Sequence, residues 1–141
     1  MSCLFHSLHK LLADVLRAQN IPNLRIHLCE VMEKIVRGEL VSSLSNRSMK
    51  EWLTDCAQEK YRKNDVSRYI KDMRKSSTWG GGMEIALTSI LFSVKIVVHY
   101  KGREIVFEHS PDCSRCVHLN YTGAHYTPIM KKGEEVEEEQ L

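Results

Sequence analysis

The sequence predicts an α+β fold, helices packed on a small and mostly antiparallel sheet, and three observations carry that prediction. Apolar residues recur at helical spacing through the first half of the chain. The second half holds β-branched runs separated by turn residues. A glycine run, Gly80-Gly81-Gly82, marks the change from one half to the other and is too short to be a domain linker. At 141 residues the chain fits one domain, which at this size buries roughly two-thirds of its unfolded surface.

The elements follow in order. Leu4, Leu8, Leu11, Leu12, Val15 and Leu16 predict a helix from about Cys3 to Arg17, broken by Asn20-Ile21-Pro22-Asn23. Leu24, Leu28, Val31 and Ile35 form the stripe of a second helix, stopped by Gly38. Ser48-Met49-Lys50-Glu51 reads as a capping box, because the serine hydroxyl and the glutamate can satisfy free amides at a helix start. That helix runs towards Tyr61, and Asn64-Asp65 opens a shorter one through Val66, Tyr69, Ile70 and Met73. After the glycines, Met83 to Val94 reads as a buried helix and Ile96 to Tyr100 as a strand. Lys101-Gly102-Arg103 turns the chain into a strand from Glu104 to Glu108. Val117 to Tyr121 and His125 to Ile129 make a last hairpin, closed by the three residues Thr122-Gly123-Ala124. That loop sets Tyr121 opposite His125 and Leu119 opposite Thr127, and turns Asn120 away from His125.

Composition narrows the function classes. A 43% hydrophobic and 27% charged chain is neither collagenous nor disordered nor disulfide-dense. The longest apolar run, Ile85 to Val98, is interrupted by Lys95 and falls short of the ~18 residues of a membrane span. No basic segment and small-residue cleavage site opens the chain, and its five cysteines are scattered, so a cytoplasmic, reducing compartment is expected. The net charge of +2 hides an asymmetry: residues 131–141 hold two lysines against five glutamates, which leaves +5 on residues 1–130. Residues 131–141 are therefore read as an acidic disordered tail behind a domain of residues 1–130. Nine basic and five acidic residues lie between Arg47 and Lys75, but aromatics do not alternate with the cations as in a nucleic-acid stacking surface. No nucleic-acid or membrane partner is expected, and a monomer is.

Candidate chemistry begins at Cys3. A thiol in the first turn of a helix sits at the positive end of the macrodipole, which favours the thiolate, the form that attacks carbonyls. Position alone favours a small residue filling space near a terminus, and a nucleophile needs a histidine base. Of seven histidines, His6 and His9 share the Cys3 helix and His27 flanks an apolar stripe. His125 opens a strand at a tight turn, where a rigid sheet can present it to a cleft. Trp79-Gly80-Gly81-Gly82 is no phosphate loop, since neither a preceding strand nor a following Gly-Lys-Ser/Thr accompanies it.

Three segments together resemble the ovarian-tumour (OTU) family of papain-like cysteine proteases. Cys3-Leu4-Phe5-His6-Ser7-Leu8 is similar to its nucleophile segment, Trp79 to Ser89 to its Trp-Gly-Gly-x-x-Glu-Leu block, and Leu119 to Tyr126 to its final hairpin with a His-Tyr pair. The resemblance spans Cys3 to Pro128 and implies a papain-like fold of OTU type. It implies a deubiquitinase without a cofactor, acting on ubiquitin or polyubiquitin conjugates, with Cys3 as nucleophile and His125 as base. Trp79, Gly80, Gly81 and Tyr126 would bind the slim ubiquitin tail, and Glu84 would anchor the loop. Where the family carries Asp-Gly-Asn before its cysteine, only Met1-Ser2 precede Cys3, so an N-terminally incomplete domain is expected. Two residues beyond the histidine the family has Asp or Asn and this chain has Thr127, whose hydroxyl can orient an imidazole without supplying charge. A catalytically weak or inactive ubiquitin-binding module is the alternative that these two departures imply.

One rival motif lies elsewhere. His109, Cys113, Cys116 and His118 give four potential zinc ligands within ten residues, whereas zinc sites usually gather two separated pairs. The ordinary reading of the segment is a loop with two reduced thiols. A redox role for Cys113 and Cys116 lacks the surrounding strand and helix of a thioredoxin-like motif.

Overall fold

A computed structural model describes residues 3–44, 46–113 and 115–130. The expected acidic tail of residues 131–141 lies outside the described residues. The fold is α+β, as the sequence predicts. Its helices are α1 (Cys3–Leu11), α2 (Ala13–Ala18), α3 (Leu24–Val36), α4 (Met49–Tyr61), α5 (Val66–Met73) and α6 (Gly82–Phe92). Strands β1 (Ser43–Leu44) and β2 (Arg47–Ser48) form a two-stranded ribbon that the sequence pattern does not announce. The main sheet, in the order β4-β3-β5-β6, is built from β3 (Val94–Tyr100), β4 (Arg103–Phe107), β5 (Arg115–Tyr121) and β6 (Tyr126–Ile129). Among the described strands only the β3–β5 pair is parallel.

Local signals set the helix ends. Asn23 caps α3 by accepting from the Ile26 amide, Ser48 caps α4 by accepting from the Glu51 amide, and Asp65 caps α5 by accepting from the Arg68 amide. At the end of α3, Gly38 takes φ +76, its N–H donates to Ile35 O, and the Glu39 N–H donates to Lys34 O. This paired closure needs a residue at ease with positive φ. The single helix predicted from Cys3 to Arg17 is two, because Leu12 departs from helical angles at φ −118 and ψ 19. Leu12 stays fully buried, and the Leu12→Leu8 and Leu16→Leu12 backbone bonds carry the axis through the break.

The core forms where the inner faces of α1, α3, α4 and α6 meet one face of the sheet. Leu8, Leu28, Leu53, Leu87, Ile96 and Leu119 are among its fully enclosed members. Arg115 at the start of β5 binds the Asp14 carboxylate at 2.8 Å and donates to Leu11 O at 2.6 Å, fastening the sheet to the end of α1. No described helix is long and apolar enough to cross a membrane.

Candidate active site

Cys3 is the first residue of α1, and its thiol is half-buried where that helix meets the edge strand β6. The Tyr126 N–H, on the edge of β6 that faces away from β5, donates to Cys3 Sγ at 3.5 Å. A backbone amide aimed at sulfur stabilises negative charge there and adds to the effect of the helix end. Ser7, one turn into α1 and 3% exposed, secures the same junction. Its single hydroxyl proton lies between Cys3 O at 2.7 Å and Tyr126 O at 3.2 Å.

The hairpin that brings Tyr126 to Cys3 corrects the predicted register. Thr122 N–H donates to His125 O, so Thr122 pairs with His125 around a two-residue turn of Gly123-Ala124, with Gly123 at φ +98. Tyr121 then stands opposite Tyr126, Asn120 opposite Thr127 and Leu119 opposite Pro128. The Thr122 hydroxyl accepts the His125 and Ala124 amides, and this side-chain contact, which hydrophobic pattern does not encode, shortens the loop. Asn120 therefore lies on the face of Thr127 and His125 rather than the opposite one.

His125 is exposed in the turn, one residue before β6 begins. Its imidazole packs at 5.6 Å and 37° against the indole of Trp79. Trp79 reaches it because Gly80 lets the chain approach α1 closely: a Cβ at Gly80 would come within 2.9 Å of both Leu4 Cδ2 and Phe5 Cε2. Glu84 then holds the glycine run, accepting the Gly81 N–H at 2.7 Å through one oxygen and the Tyr69 hydroxyl at 2.7 Å through the other. The carboxyl is 1% exposed, and burial pushes its pKa above the usual range against the pull of the Tyr69 hydroxyl and the Gly81 amide. An open cleft of about 670 Å³ runs beside this loop, lined by Trp79, the three glycines, Ser77 and Glu59.

A family model described as OTU-like cysteine protease matches residues 2–127 of the chain. The chain belongs to the OTU-like cysteine protease family. No curated protein matches it in sequence. Membership makes cysteine-protease chemistry the general function of the fold, and the Cys3–Leu8 segment, the Trp79–Ser89 block and the final hairpin up to Thr127 fall within the matched residues.

Two features of this OTU-like domain escaped sequence reasoning. Arg25 on α3 is 5% exposed, donates to Met73 O at 2.9 Å and Ser76 O at 3.4 Å, and lays its guanidinium 4.2 Å from the centre of the Phe5 ring. It thus braces the segment leading to Trp79 against the first turn of α1. Tyr126 stacks on Tyr121 at 4.4 Å, and burial, with Tyr121 beside it, pushes the Tyr126 hydroxyl up to about 12. Thr127 is exposed on β6, and no hydrogen bond joins it to His125 among the described residues.

The zinc quartet is not gathered. His109 Nδ1 lies 3.2 Å from Ser43 O, whereas His118 turns to His99 on β3. Among the described residues no three His, Cys, Asp or Glu side chains converge as a metal site. Strand β5 directs His118 onto the sheet face, away from the loop that carries His109.

Proposed function

We propose that this OTU-like domain is a deubiquitinase that cleaves the isopeptide bond after the C-terminal glycine of ubiquitin, with Cys3 as nucleophile and His125 as acid–base. The observation that carries the reading is the junction of α1 and β6, where the amide adjoining His125 donates to the Cys3 sulfur. His125 takes the thiol proton, the thiolate adds to the glycine carbonyl, and His125 returns the proton to the leaving lysine amine. Water, deprotonated by His125, then hydrolyses the thioester and restores both residues. Amides of the first turn of α1 receive the oxyanion, an effect worth about 3–4 kcal/mol per donor in related chemistry. The glycine run and Trp79 supply a wall slim enough for a Gly-Gly tail, and a free Cys3 thiol suits a reducing cytoplasm.

A ubiquitin carrying a C-terminal electrophile tests this directly. The expected result is an adduct on Cys3 that Cys3→Ala and His125→Ala each abolish, while Thr127→Ala costs much less. Ubiquitin binding without any adduct would instead identify a module that binds and does not turn over. That second reading draws support from the His125 imidazole, which makes no hydrogen bond with the described residues.

A further inference from the structure

The turn that carries His125 is tied to the sheet by a row of three tyrosines. Tyr100 of β3, Tyr121 of β5 and Tyr126 of β6 stand side by side, their ring centres 5.2 Å apart in the first pair and 4.4 Å in the second. Such pairs stabilise beyond the area they bury. The middle residue touches the supports of both candidate groups. The Tyr121 O–H donates to Gly123 O at 3.1 Å, within the turn that leads into His125. Its ring stacks on Tyr126, whose N–H donates to Cys3 Sγ. Tyr100 backs the same turn: a Cβ at Gly123 would stand 3.7 Å from both its Cε1 and its hydroxyl oxygen.

We propose that Tyr121 is a positioning residue that sets the spacing of Cys3 and His125, its hydroxyl fixing the turn and its ring fixing Tyr126. This inference rests on the reading of Cys3 and His125 as nucleophile and acid–base. Thr122 accepts the Ala124 and His125 amides, and those bonds lie inside the turn and set its shape. Tyr121 belongs to β5, so its bond to Gly123 O sets how that turn leans on the sheet. His125 lies just outside β6 and is exposed, so its imidazole goes where the turn goes. Proton transfer needs heavy atoms within ~2.6–3.2 Å, or one water between them, and a misplacement of about 1 Å costs rate.

The two contacts of Tyr121 can be removed one at a time. Phenylalanine deletes the hydroxyl and keeps the stacked ring, whereas leucine deletes both. One neutral hydrogen bond supports a factor of about threefold to tenfold in turn closure, and that is the scale expected on turnover. The Trp79 indole gives an independent reading of position. It lies 5.6 Å from the imidazole, so its ring current makes the His125 ring-proton resonances sensitive to where that imidazole stands.

Steady-state hydrolysis of a ubiquitin C-terminal fluorogenic amide and NMR of the histidine rings test the brace together, on the whole chain. In Tyr121→Phe, kcat per folded molecule should fall about threefold to tenfold while KM stays within about twofold, and Tyr121→Leu should lose more. The His125 ring resonances should shift in Tyr121→Phe, while those of His27 on α3 stay in place. A loss of global stability alone would leave the native resonances and the rate per folded molecule unchanged. Unmoved His125 resonances, or an unchanged kcat per folded molecule in a chain that turns over, overturn the assignment. A chain that hydrolyses no ubiquitin substrate sinks the deubiquitinase reading instead, and the resonance comparison then decides the brace by itself.

Discussion

The Tyr126 amide donates to the Cys3 sulfur across 123 positions of sequence, so the candidate nucleophile is held by the backbone next to the candidate base. A backbone donor persists for any residue other than proline at position 126, and its aim is set by the β5–β6 register and the packing of α1 on β6. This relationship gives the thiols of the chain unequal reactivity. Burial pushes Cys29 and Cys56 up to about 11, leaving almost no thiolate at neutral pH, whereas Cys3 faces a backbone amide donor. Iodoacetamide labelling of the native protein, mapped by mass spectrometry, should therefore modify Cys3 well before either core thiol. Equal rates at the three positions would remove the basis for a nucleophile at Cys3.

Neighbouring glycines should respond differently to the same substitution. A methyl at Gly80 collides with Leu4 and Phe5, which are 1% and 6% exposed and have nowhere to retreat. Overpacking of this kind costs about 1–3 kcal/mol, so Gly80→Ala should lower the unfolding midpoint. At Gly81 an added Cβ meets nothing within 4 Å, and φ −156 is extended backbone that alanine accepts. Gly81→Ala should keep wild-type stability yet raise KM for a ubiquitin substrate, because the methyl enters the tail channel. Denaturant melts beside steady-state kinetics separate the two effects.

Much of this arrangement is legible in the chain. The caps at Ser48 and Asp65, the stop at Gly38 and the buried α6 all follow from short-range rules that tertiary contacts did not override. The β5–β6 register is different. It turns on the Thr122 hydroxyl accepting two amides within the turn, and a one-residue change in loop length moved Asn120 to the other face. Arg25 was equally hidden, since a cation between Leu24 and Ile26 reads as solvated until Met73, Ser76 and Phe5 surround it. His118 has one partner in sequence, Cys116, and another, His99, only in the sheet.

Arg25→Met should separate bracing from bulk. Methionine keeps much of the volume beside Phe5 but donates nothing to Met73 O or Ser76 O. Hydrogen bonds to charged groups are worth roughly 1.5–3 kcal/mol each, so a stability loss of that order is expected. If Arg25 also positions Trp79, adduct formation at Cys3 should slow by more than the folded fraction explains. Arg25→Lys should recover part of the rate. Unchanged reactivity per folded molecule would confine Arg25 to stability.

Glu84 predicts a pH dependence with a definite sign. In the unfolded chain its carboxyl titrates near ~4.3, and in the fold burial raises that value. Between the two values the native state binds more protons than the unfolded state, so stability falls as pH rises through this window and is greatest below it. Glutamine at position 84 can still accept from the Gly81 N–H but has no proton to lose. Glu84→Gln should therefore flatten this part of the profile, and the gap between the two proteins should shift in favour of the variant as pH rises from about 4 towards neutrality. Urea midpoints measured at matched pH for both proteins give the comparison, and the difference cancels every other titrating group. A gap that stays constant across the range would mean that Glu84 titrates alike in the folded and unfolded chains, and that the glycine run is not anchored by a strained carboxylate.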